Sequence, residues 1–215
     1  MIYICKHTEF DNPVPKDHQE IYVGEMFDGG EDNINELNPY INELTALYQI
    51  WKEVTDDIIG FVHYRRLFYD EDNHEFVTLA TAEKILEDYD IITTEPYLFK
   101  MDIYNQLRFE FLCEDKEILD KYKEKLCDQV PGLKHYFDET HLMYPRNMFI
   151  CKRETITKFF EWLFPIIIPL TKEFIAKDLY KVTRTRMVGF LFERLLGFWI
   201  LQNNLKVYEM KYMKL

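Results

Sequence analysis

Two adjacent arginines directly after an apolar run are the clearest chemical signal in the sequence. The run Ile58 to Val62 leads into His63, Tyr64, Arg65 and Arg66. Open α/β sheets bind ligands just beyond the carboxyl ends of their strands, and the planar guanidinium fork fits a phosphate. We therefore expect Arg65 and Arg66, with the His63 imidazole, to bind a phosphate or diphosphate. The alternative is that both arginines pair with carboxylates of this acidic chain and have a structural role.

A second group of candidate residues lies near the end of the chain. At helical spacing Arg186, Gly189, Glu193 and Gly197 share one face, and Arg194 lies beside it. Each glycine costs a helix about 1 kcal/mol relative to alanine, so this face predicts close approach of another backbone or of a ligand. Glu193 would then be desolvated, and its raised pKa would suit a general base. The alternative is an ion-pair network with the neighbouring arginines that only orders the helix.

The third group is a polar loop followed by a helix start. Asp32 and Asn33 precede Asn38 and Pro39, which we expect to be the N-cap and first position of a helix. A structural role as a cap is therefore the main expectation for Asn38. Glu43 lies on a helix otherwise lined with apolar residues, which makes it a further candidate for chemistry.

Several common sites have no signature in this sequence. The six histidines form no HExxH motif and pair with no cysteine, and Asp56-Asp57 precedes its strand, the wrong end for a metal carboxylate pair. There is no P-loop, GxGxxG or GxSxG motif. The four cysteines lack a CxxC pair and are expected to be free thiols: Cys5, Cys113, Cys127 and Cys151.

Charge and composition narrow the class of protein. Lys and Arg number 26 against 38 Asp and Glu, a net charge of −12, which disfavours nucleic acid as a partner. The 215 residues and 47% hydrophobic content fit one domain, residues 1–215. No signal peptide is recognisable, and the apolar segment Phe159 to Leu170 is interrupted by Pro165 and Pro169, so we expect a cytoplasmic protein without a transmembrane helix.

Alternating short apolar runs and amphipathic stretches define the elements that must position these residues. The patterns predict strands at 2–5, 21–23, 58–62, 90–93, 147–151 and 206–209. They predict helices at 39–53, 81–89, 102–112, 114–126, 154–163 and 182–202. This alternation favours an α/β fold with a central, mostly parallel sheet flanked by helices and a helix-rich C-terminal half.

Ordered blocks over nearly the whole chain resemble a bacterial family of glycosyltransferases of capsular and exopolysaccharide biosynthesis, long catalogued as a domain of unknown function. The blocks are Asn33-Ile34, Asn38, ELTALY at 43–48, Trp51-Lys52, Gly60, HYRR at 63–66, NMFI at 147–150, WLF at 162–164, Arg186, Gly189-Phe190 and ERL at 193–195. The ELTALY and HYRR blocks are specific together, whereas the WLF block alone means little.

The resemblance implies a GT-A-like nucleotide-sugar-binding fold and a hexosyltransferase activity. A sugar would pass from a nucleoside diphosphate donor, by analogy UDP-linked, to a growing surface glycan of a capsule, exopolysaccharide or lipopolysaccharide O-antigen. The acceptor would be a glycan or a lipid-linked glycan, with peripheral contact at the inner face of the cell membrane. The oligomeric state stays open. The alternative is a non-catalytic module of the same fold that binds nucleotide sugar or glycan.

The resemblance also implies roles for individual positions. The donor nucleotide and diphosphate would contact His7, His63, Tyr64, Arg65, Arg66, Arg186 and Arg194. Further substrate contacts would be Asn33, Asn38, Thr45, Tyr48 and Asn147. The base that activates the acceptor hydroxyl would be Glu193, with Glu43 and Asp32 as alternatives.

This chain differs from GT-A enzymes at the position of their metal-binding motif. Such enzymes place an acidic DxD motif at the end of the central strand, where this chain has His63-Tyr64-Arg65-Arg66. Arginines could neutralise the leaving diphosphate directly, as a metal clamp does. We therefore expect metal-independent transfer with no required cofactor, and Mn²⁺ or Mg²⁺ dependence is the alternative.

Overall fold

The computed structural model describes residues 1–11, 13–110, 113–177 and 186–215 of the chain. The strands are β1 (Ile2–Lys6), β2 (His18–Tyr22), β3 (Ile58–His63), β4 (Arg66–Asp70), β5 (Glu75–Phe76), β6 (Ile91–Thr94), β7 (Tyr97–Leu98), β8 (Leu142–Met143), β9 (Phe149–Lys152), β10 (Val207–Met210) and β11 (Tyr212–Lys214). The helices are α1 (Asn38–Ile41), α2 (Leu44–Glu53), α3 (Leu79–Ile85), α4 (Ile103–Phe109), α5 (Cys113–Gln129), α6 (Leu133–Glu139), α7 (Arg153–Ala176) and α8 (Met187–Gln202).

The central sheet has the order β10-β6-β9-β3-β1-β2. Strands β2, β1, β3, β6 and β10 run in one direction, and β9 runs against its neighbours β3 and β6. The strand β4 turns back from β3 as a hairpin and pairs with β11. The predicted α/β fold with a mostly parallel sheet is therefore confirmed. Because the carboxyl ends of parallel strands meet at one edge, the segments after β1, β3, β6 and β10 lie along that edge.

Close packing of the middle strands depends on Gly60 in β3. A Cβ atom there would lie 2.8 Å from Cγ1 of Ile2 and 3.1 Å from Cγ1 of Ile150. These two side chains come from the flanking strands β1 and β9 and fill the space above the glycine. The role of Gly60 in the structure is therefore strand packing.

The helix expected at 39–53 is broken in two. Asn42 has φ 55° and ψ −131°, the conformation of the first central residue in a type II′ turn, which Asn tolerates better than most residues. Helix α1 therefore ends at Ile41, and α2 begins at Leu44. Periodicity does not detect this break because apolar residues continue at helical spacing on both sides of it.

Helix α7 is longer than the sequence predicts. It continues through Pro165 and Pro169 to Ala176, although proline normally ends a helix by removing an N–H donor. Both prolines are on the exposed side, while Phe164, Ile167 and other residues of the opposite face are buried in the core. The burial of this apolar face offsets the cost of the prolines, so the predicted end near Leu163 is wrong.

Other boundaries differ from the expectation by a few residues, because cap and pairing contacts decide them. Helix α3 begins at Leu79, two residues before the predicted start, and is capped by the Thr78 hydroxyl, which accepts from the Thr81 N–H. Strands β4, β5, β7, β8 and β11 and helix α6 were not predicted. Of the expected elements, residues 111–112 and 182–185 lie outside the described part of the chain, as does the side chain of Cys113. Cys5, Cys127 and Cys151 are free thiols.

Candidate active site

A cavity of about 390 Å³ opens at the carboxyl ends of β1 and β3, the edge where the sequence placed the chemistry. Most residues named there as donor contacts come together in its wall. It is lined by Cys5, His7, Val23, Asn38, Asn42, Glu43, His63, Tyr64, Arg65, Arg66 and Arg186.

The HYRR block forms a tight hairpin. His63 ends β3 and pairs with Arg66, the first residue of β4, so that Tyr64 and Arg65 occupy the turn. Arg65 is exposed, and its guanidinium carbon lies 4.7 Å from the centre of the Tyr64 ring and 5.8 Å from that of Phe10. The hairpin therefore brings two guanidinium groups to the cavity, that of Arg65 from the turn and that of Arg66 from the start of β4.

The arginines of the cavity form no salt bridge among the described residues, although the charge of Arg186 acts on Glu43 and partly offsets the rise that burial causes in its pKa. None of Arg65, Arg66 and Arg186 forms a salt bridge with a carboxylate of the described residues. The Nε atom of Arg66 is buried and has no hydrogen-bond partner in the described part of the chain. In a chain with a net charge of −12 such arginines are unusual, and the alternative that Arg65 and Arg66 pair with carboxylates is wrong for the described residues.

Helix α8 is held against the cavity by its first glycine. A Cβ atom at Gly189 would lie 2.1 Å from Nδ2 of Asn42 and 3.2 Å from the carbonyl oxygen of Tyr40. The glycine thus lets the α1–α2 junction pack directly on α8, as the sequence predicted for this face. Asn42 accepts a hydrogen bond through Oδ1 from Nε of Arg186 (2.5 Å), which directs Arg186 toward the cavity.

Two carboxylates lie together at the base of this region. Glu43, at the N-terminus of α2, lines the cavity, and its Oε1 accepts from Nδ2 of Asn147 (2.9 Å). Burial raises the pKa of Glu43. Burial also raises the pKa of Glu193, and the negative charge of Glu43 raises it further. A raised pKa makes a carboxylate at a cavity, as Glu43 is, a stronger proton acceptor.

A strained backbone segment connects the two carboxylates with His63. Arg146 and Asn147 both have positive φ angles, 73° and 52°. The Arg146 N–H donates to Oε1 of Glu193, and its carbonyl oxygen accepts from Nε2 of His63 (2.7 Å). Such backbone costs of order 1–3 kcal/mol per residue and is concentrated at functional sites. Sequence analysis missed Arg146, and the only available signal was a Pro-Arg-Asn sequence in which Asn tolerates positive φ.

Burial favours the neutral form of the two histidines of the cavity by lowering the pKa of each. Because Nε2 of His63 faces a carbonyl, that nitrogen carries the proton, and burial lowers the His63 pKa. Nδ1 of His63 is then left as an acceptor. Burial, followed by the nearby charge of Arg186, lowers the pKa of His7 as well. Nε2 of His7 lies 3.3 Å from the Tyr64 hydroxyl, so His7 stands at the end of β1 where a nucleotide contact was expected.

Comparison with known proteins identifies the family. The family model described as a domain of unknown function (DUF4422) matches residues 1–204. The chain belongs to this family. No curated protein matches the chain significantly.

The DUF4422 chain shares its fold with a solved structure of WbbM, described as a bifunctional glycosyltransferase in its apo state. The two superpose with a TM-score of 0.67 at 22% sequence identity, over 100% of this chain and 45% of the WbbM chain. The chain therefore spans less than half the length of WbbM. The comparison shows a glycosyltransferase-like fold.

Arg194 lies away from the cavity of this DUF4422 domain. Its side chain is 3% exposed and donates to the carbonyl oxygens of Ile103 (3.0 Å) and Phe190 (2.5 Å) and to Oε1 of Gln106 (2.8 Å). These contacts tie α8 to α4. The predicted contact of Arg194 with the donor diphosphate is therefore not supported, because the guanidinium group is directed into the helical core.

Asp32 and Tyr48 also lie outside the cavity lining. The Tyr48 hydroxyl donates to Asp32 (2.9 Å), and Nζ of Lys52 lies 3.5 Å from the same carboxylate. This exposed group on α2 and the preceding loop has its own partners and no direct access to the cavity. The expected roles of Asp32 as a base and Tyr48 as a substrate contact are therefore not supported by their positions.

The remaining polar residues support the loop and the helix break. Asn33 donates to the Gly30 carbonyl (2.8 Å), and Thr45 donates to the Asn42 carbonyl (2.9 Å). Asn38 lines the cavity, but it is the first residue of α1 and not an accepting N-cap, because Nδ2 donates to Asn42 and Thr45. Asn33 and Thr45 are thus structural, and the cap prediction for Asn38 is wrong.

The described residues contain neither a cluster of metal ligands nor a membrane-spanning helix. Within the described ranges no group of three or more His, Cys, Asp or Glu side chains is arranged to hold a metal ion. Metal-independent chemistry remains a prediction. No described helix is long and apolar enough to span a bilayer.

Proposed function

We propose that this domain is a glycosyltransferase that transfers a sugar from a nucleoside diphosphate donor to a glycan acceptor. The observation that carries the proposal is a set of arginines at the carboxyl edge of the sheet that form no salt bridge with any described carboxylate: Arg65, Arg66 and Arg186. A diphosphate supplies the negative charge that these groups lack, and the fold shared with WbbM supports a sugar as the group transferred.

The arginines would act mainly on the leaving group. As the bond between the anomeric carbon and the diphosphate oxygen breaks, negative charge grows on the diphosphate. Preorganised guanidinium groups stabilise that charge in the transition state, which is the role that a metal ion has in other transferases. We accordingly propose metal-independent transfer, with His7 contacting the nucleoside at the end of β1.

The sequence favoured Glu193 as the base with Glu43 as an alternative, but Glu43 is the better placed of the two because it lines the cavity and Glu193 is not among the lining residues. The Glu43 carboxylate would take the proton of the acceptor hydroxyl. The hydroxyl oxygen then bonds to the anomeric carbon, and the nucleoside diphosphate leaves with the electron pair of the broken bond. Glu193 has a positioning role: it accepts from the Arg146 N–H, and burial together with the negative charge of Glu43 raises its own pKa.

The finer assignment follows the family resemblance. We propose a UDP-linked hexose as donor and a surface polysaccharide, or its lipid-linked precursor, as acceptor, with transfer on the cytoplasmic side of the membrane. A binding module of the same fold would retain the arginine cluster but would never release nucleoside diphosphate from a bound donor.

A two-stage experiment tests the proposal. A thermal-shift panel with UDP, GDP, UDP-galactose and UDP-glucose, each with Mn²⁺ or with EDTA, identifies the donor for the wild type and for Arg65→Ala. The stabilising donor is then incubated with candidate acceptors, and UDP release is measured. We expect stabilisation that persists in EDTA, decreases in Arg65→Ala and is followed by UDP release. Stabilisation without turnover would favour the binding module, and no stabilisation by any nucleotide would contradict the proposal.

A further inference from the structure

We propose that Arg66 and Arg146, flanked by Tyr97 and Tyr212, form an anion site for a phosphate group, next to the cavity and on its β9 side. This inference rests on the proposed function for its biological ligand but not for its existence. Nothing in the sequence blocks or in the similarity to WbbM assigns a role to Arg146, Tyr97 or Tyr212.

The topology brings these four residues to one edge of the sheet. Tyr97 follows the carboxyl end of β6, and Tyr212 follows that of β10. Arg146 precedes β9, which runs in the opposite direction, so its start lies at the same edge. The hydroxyl of Thr94, the last residue of β6, donates to the Pro145 carbonyl (3.4 Å) and helps to fix the Arg146 segment there.

The Arg146 side chain is placed by aromatic rings instead of by carboxylates. Its guanidinium carbon lies 4.7 Å from the ring centre of Tyr212 and 5.2 Å from that of Tyr97. Nη2 donates to the Tyr97 hydroxyl, whereas Nη1 is buried without a hydrogen-bond partner in the described protein. Packing between rings holds the planar group in one orientation and leaves one of its donors directed at no protein acceptor.

Arg66 adds a second uncompensated guanidinium group. In the β4–β11 pairing Arg66 lies directly opposite Lys214, with Tyr212 two residues along the same face. Like charges opposite each other destabilise a strand pair, and neither residue has a salt bridge to a described carboxylate. The Nε atom of Arg66, like Nη1 of Arg146, is buried without a hydrogen-bond partner in the described residues.

A ligand for this site must supply both hydrogen-bond acceptors and negative charge. Two unpartnered guanidinium nitrogens, with a lysine across the strand pair, match the oxygens of a phosphate better than neutral sugar hydroxyls. Since Arg66 also lines the cavity, the site continues the proposed donor site. The phosphate could belong to the leaving diphosphate of the donor or to a prenyl-phosphate-linked acceptor, and both present the same chemistry.

The test uses calorimetric titration of inorganic pyrophosphate, UDP and farnesyl phosphate into the purified chain in EDTA. The variants are Arg146→Gln and, because Arg146 has an unusual backbone, Arg66→Gln as an independent second change. Arg153→Gln is the matched control, since this exposed arginine begins α7 directly after the opposite end of β9. Circular dichroism and thermal unfolding verify that each variant is folded.

We expect wild type to bind pyrophosphate and each site variant to weaken that binding by about 10- to 100-fold, with no change in Arg153→Gln. A parallel loss for UDP would assign the site to the donor. A parallel loss for farnesyl phosphate with UDP unchanged would assign it to the acceptor.

Unchanged pyrophosphate affinity in folded Arg146→Gln, or no pyrophosphate binding by wild type, would overturn the inference. Failure of the proposed function is a separate result: pyrophosphate binding that depends on Arg146, together with no nucleotide binding, would retain this site and reject the transferase.

Discussion

The charged groups at the two edges of the central sheet differ in whether they have protein partners. At the amino edge, Asp56 accepts from the Tyr3 hydroxyl (2.6 Å) and lies 3.9 Å from the Met1 ammonium group. At the carboxyl edge, Arg66 and Arg146 have buried nitrogens without partners, and the backbone of Arg146 has a positive φ. The amino edge pairs its charged groups, although Nε2 of His18 at the start of β2 is also buried without a described partner. The carboxyl edge leaves two guanidinium groups without carboxylate partners among the described residues, at a cost in stability. Such an uncompensated cost is typical of a ligand site.

The largest effect is expected from Glu43→Gln at the carboxyl edge. Glutamine has about the same size as glutamate and can still contact Asn147, but its amide cannot take the proton of the acceptor hydroxyl. We expect turnover to fall by about 10²- to 10⁴-fold, the usual contribution of a general base, with little change in donor affinity. UDP release under single-turnover conditions measures it. Glu161→Gln, on the exposed side of α7, is the control, and equal turnover in both variants would remove Glu43 from the mechanism.

Gly189→Ala tests how the carboxyl edge is built. The added methyl group would lie 2.1 Å from Nδ2 of Asn42, so the α1–α2 junction must move away from α8. We expect a loss of about 1–3 kcal/mol in the free energy of unfolding, typical of overpacking, together with weaker nucleotide binding through displaced Arg186. Urea unfolding and calorimetry measure the two effects. Leu201→Ala, half-exposed on the same helix, should leave nucleotide affinity unchanged, and a stable Gly189→Ala would refute the packing argument.

The raised pKa of Glu193 predicts a pH-dependent stability. A carboxyl whose pKa is raised by folding contributes stability that is complete below the ordinary glutamate pKa of about 4.5 and is lost as pH rises through the folded value. Wild type should therefore lose stability relative to Glu193→Gln above that point, by up to about 1.4 kcal/mol per pH unit within the titration window. Urea unfolding of both proteins from pH 4.5 to 8 measures the difference. A difference independent of pH would show that the Glu193 pKa is not raised.

Tyr3→Phe tests the amino edge, where we expect a purely structural effect. Loss of the hydroxyl removes its hydrogen bond to Asp56 and should cost about 1 kcal/mol in the free energy of unfolding. Nucleotide affinity should stay unchanged, because the hydrogen bond lies at the far end of β1 from the cavity. An altered nucleotide Kd in this variant would contradict the assignment of a purely structural role to the amino edge.

The sequence predicted the parts of this arrangement that depend on local pattern. Apolar runs predicted β1, β3 and β6, and the placement of the HYRR block at a strand end correctly brought Arg65 and Arg66 to the carboxyl edge. The glycine of α8 correctly predicted a close approach, although its partner, Asn42, could not be identified.

The unpredicted parts depend on contacts between segments remote in sequence. Arg146 gains its importance from Glu193 and His63, which are 47 and 83 residues away. The helix break at Asn42 depends on the fit of the α1–α2 junction against α8. Helix α7 continues through its two prolines because its opposite face is buried. These contacts stabilise the structure through tertiary packing, which neither local propensity nor hydrophobic periodicity describes.

We propose that arginines without salt bridges among the described residues make the carboxyl edge a diphosphate site. The most direct test of this claim is calorimetric titration of uridine, UMP and UDP into wild type, Arg66→Gln, Arg186→Gln and Arg153→Gln in EDTA. We predict that affinity rises with each phosphate, that Arg66→Gln and Arg186→Gln lose about 10- to 100-fold for UDP but little for uridine, and that Arg153→Gln matches wild type. Equal UDP affinity in all four proteins, or no gain from uridine to UDP, would contradict the claim.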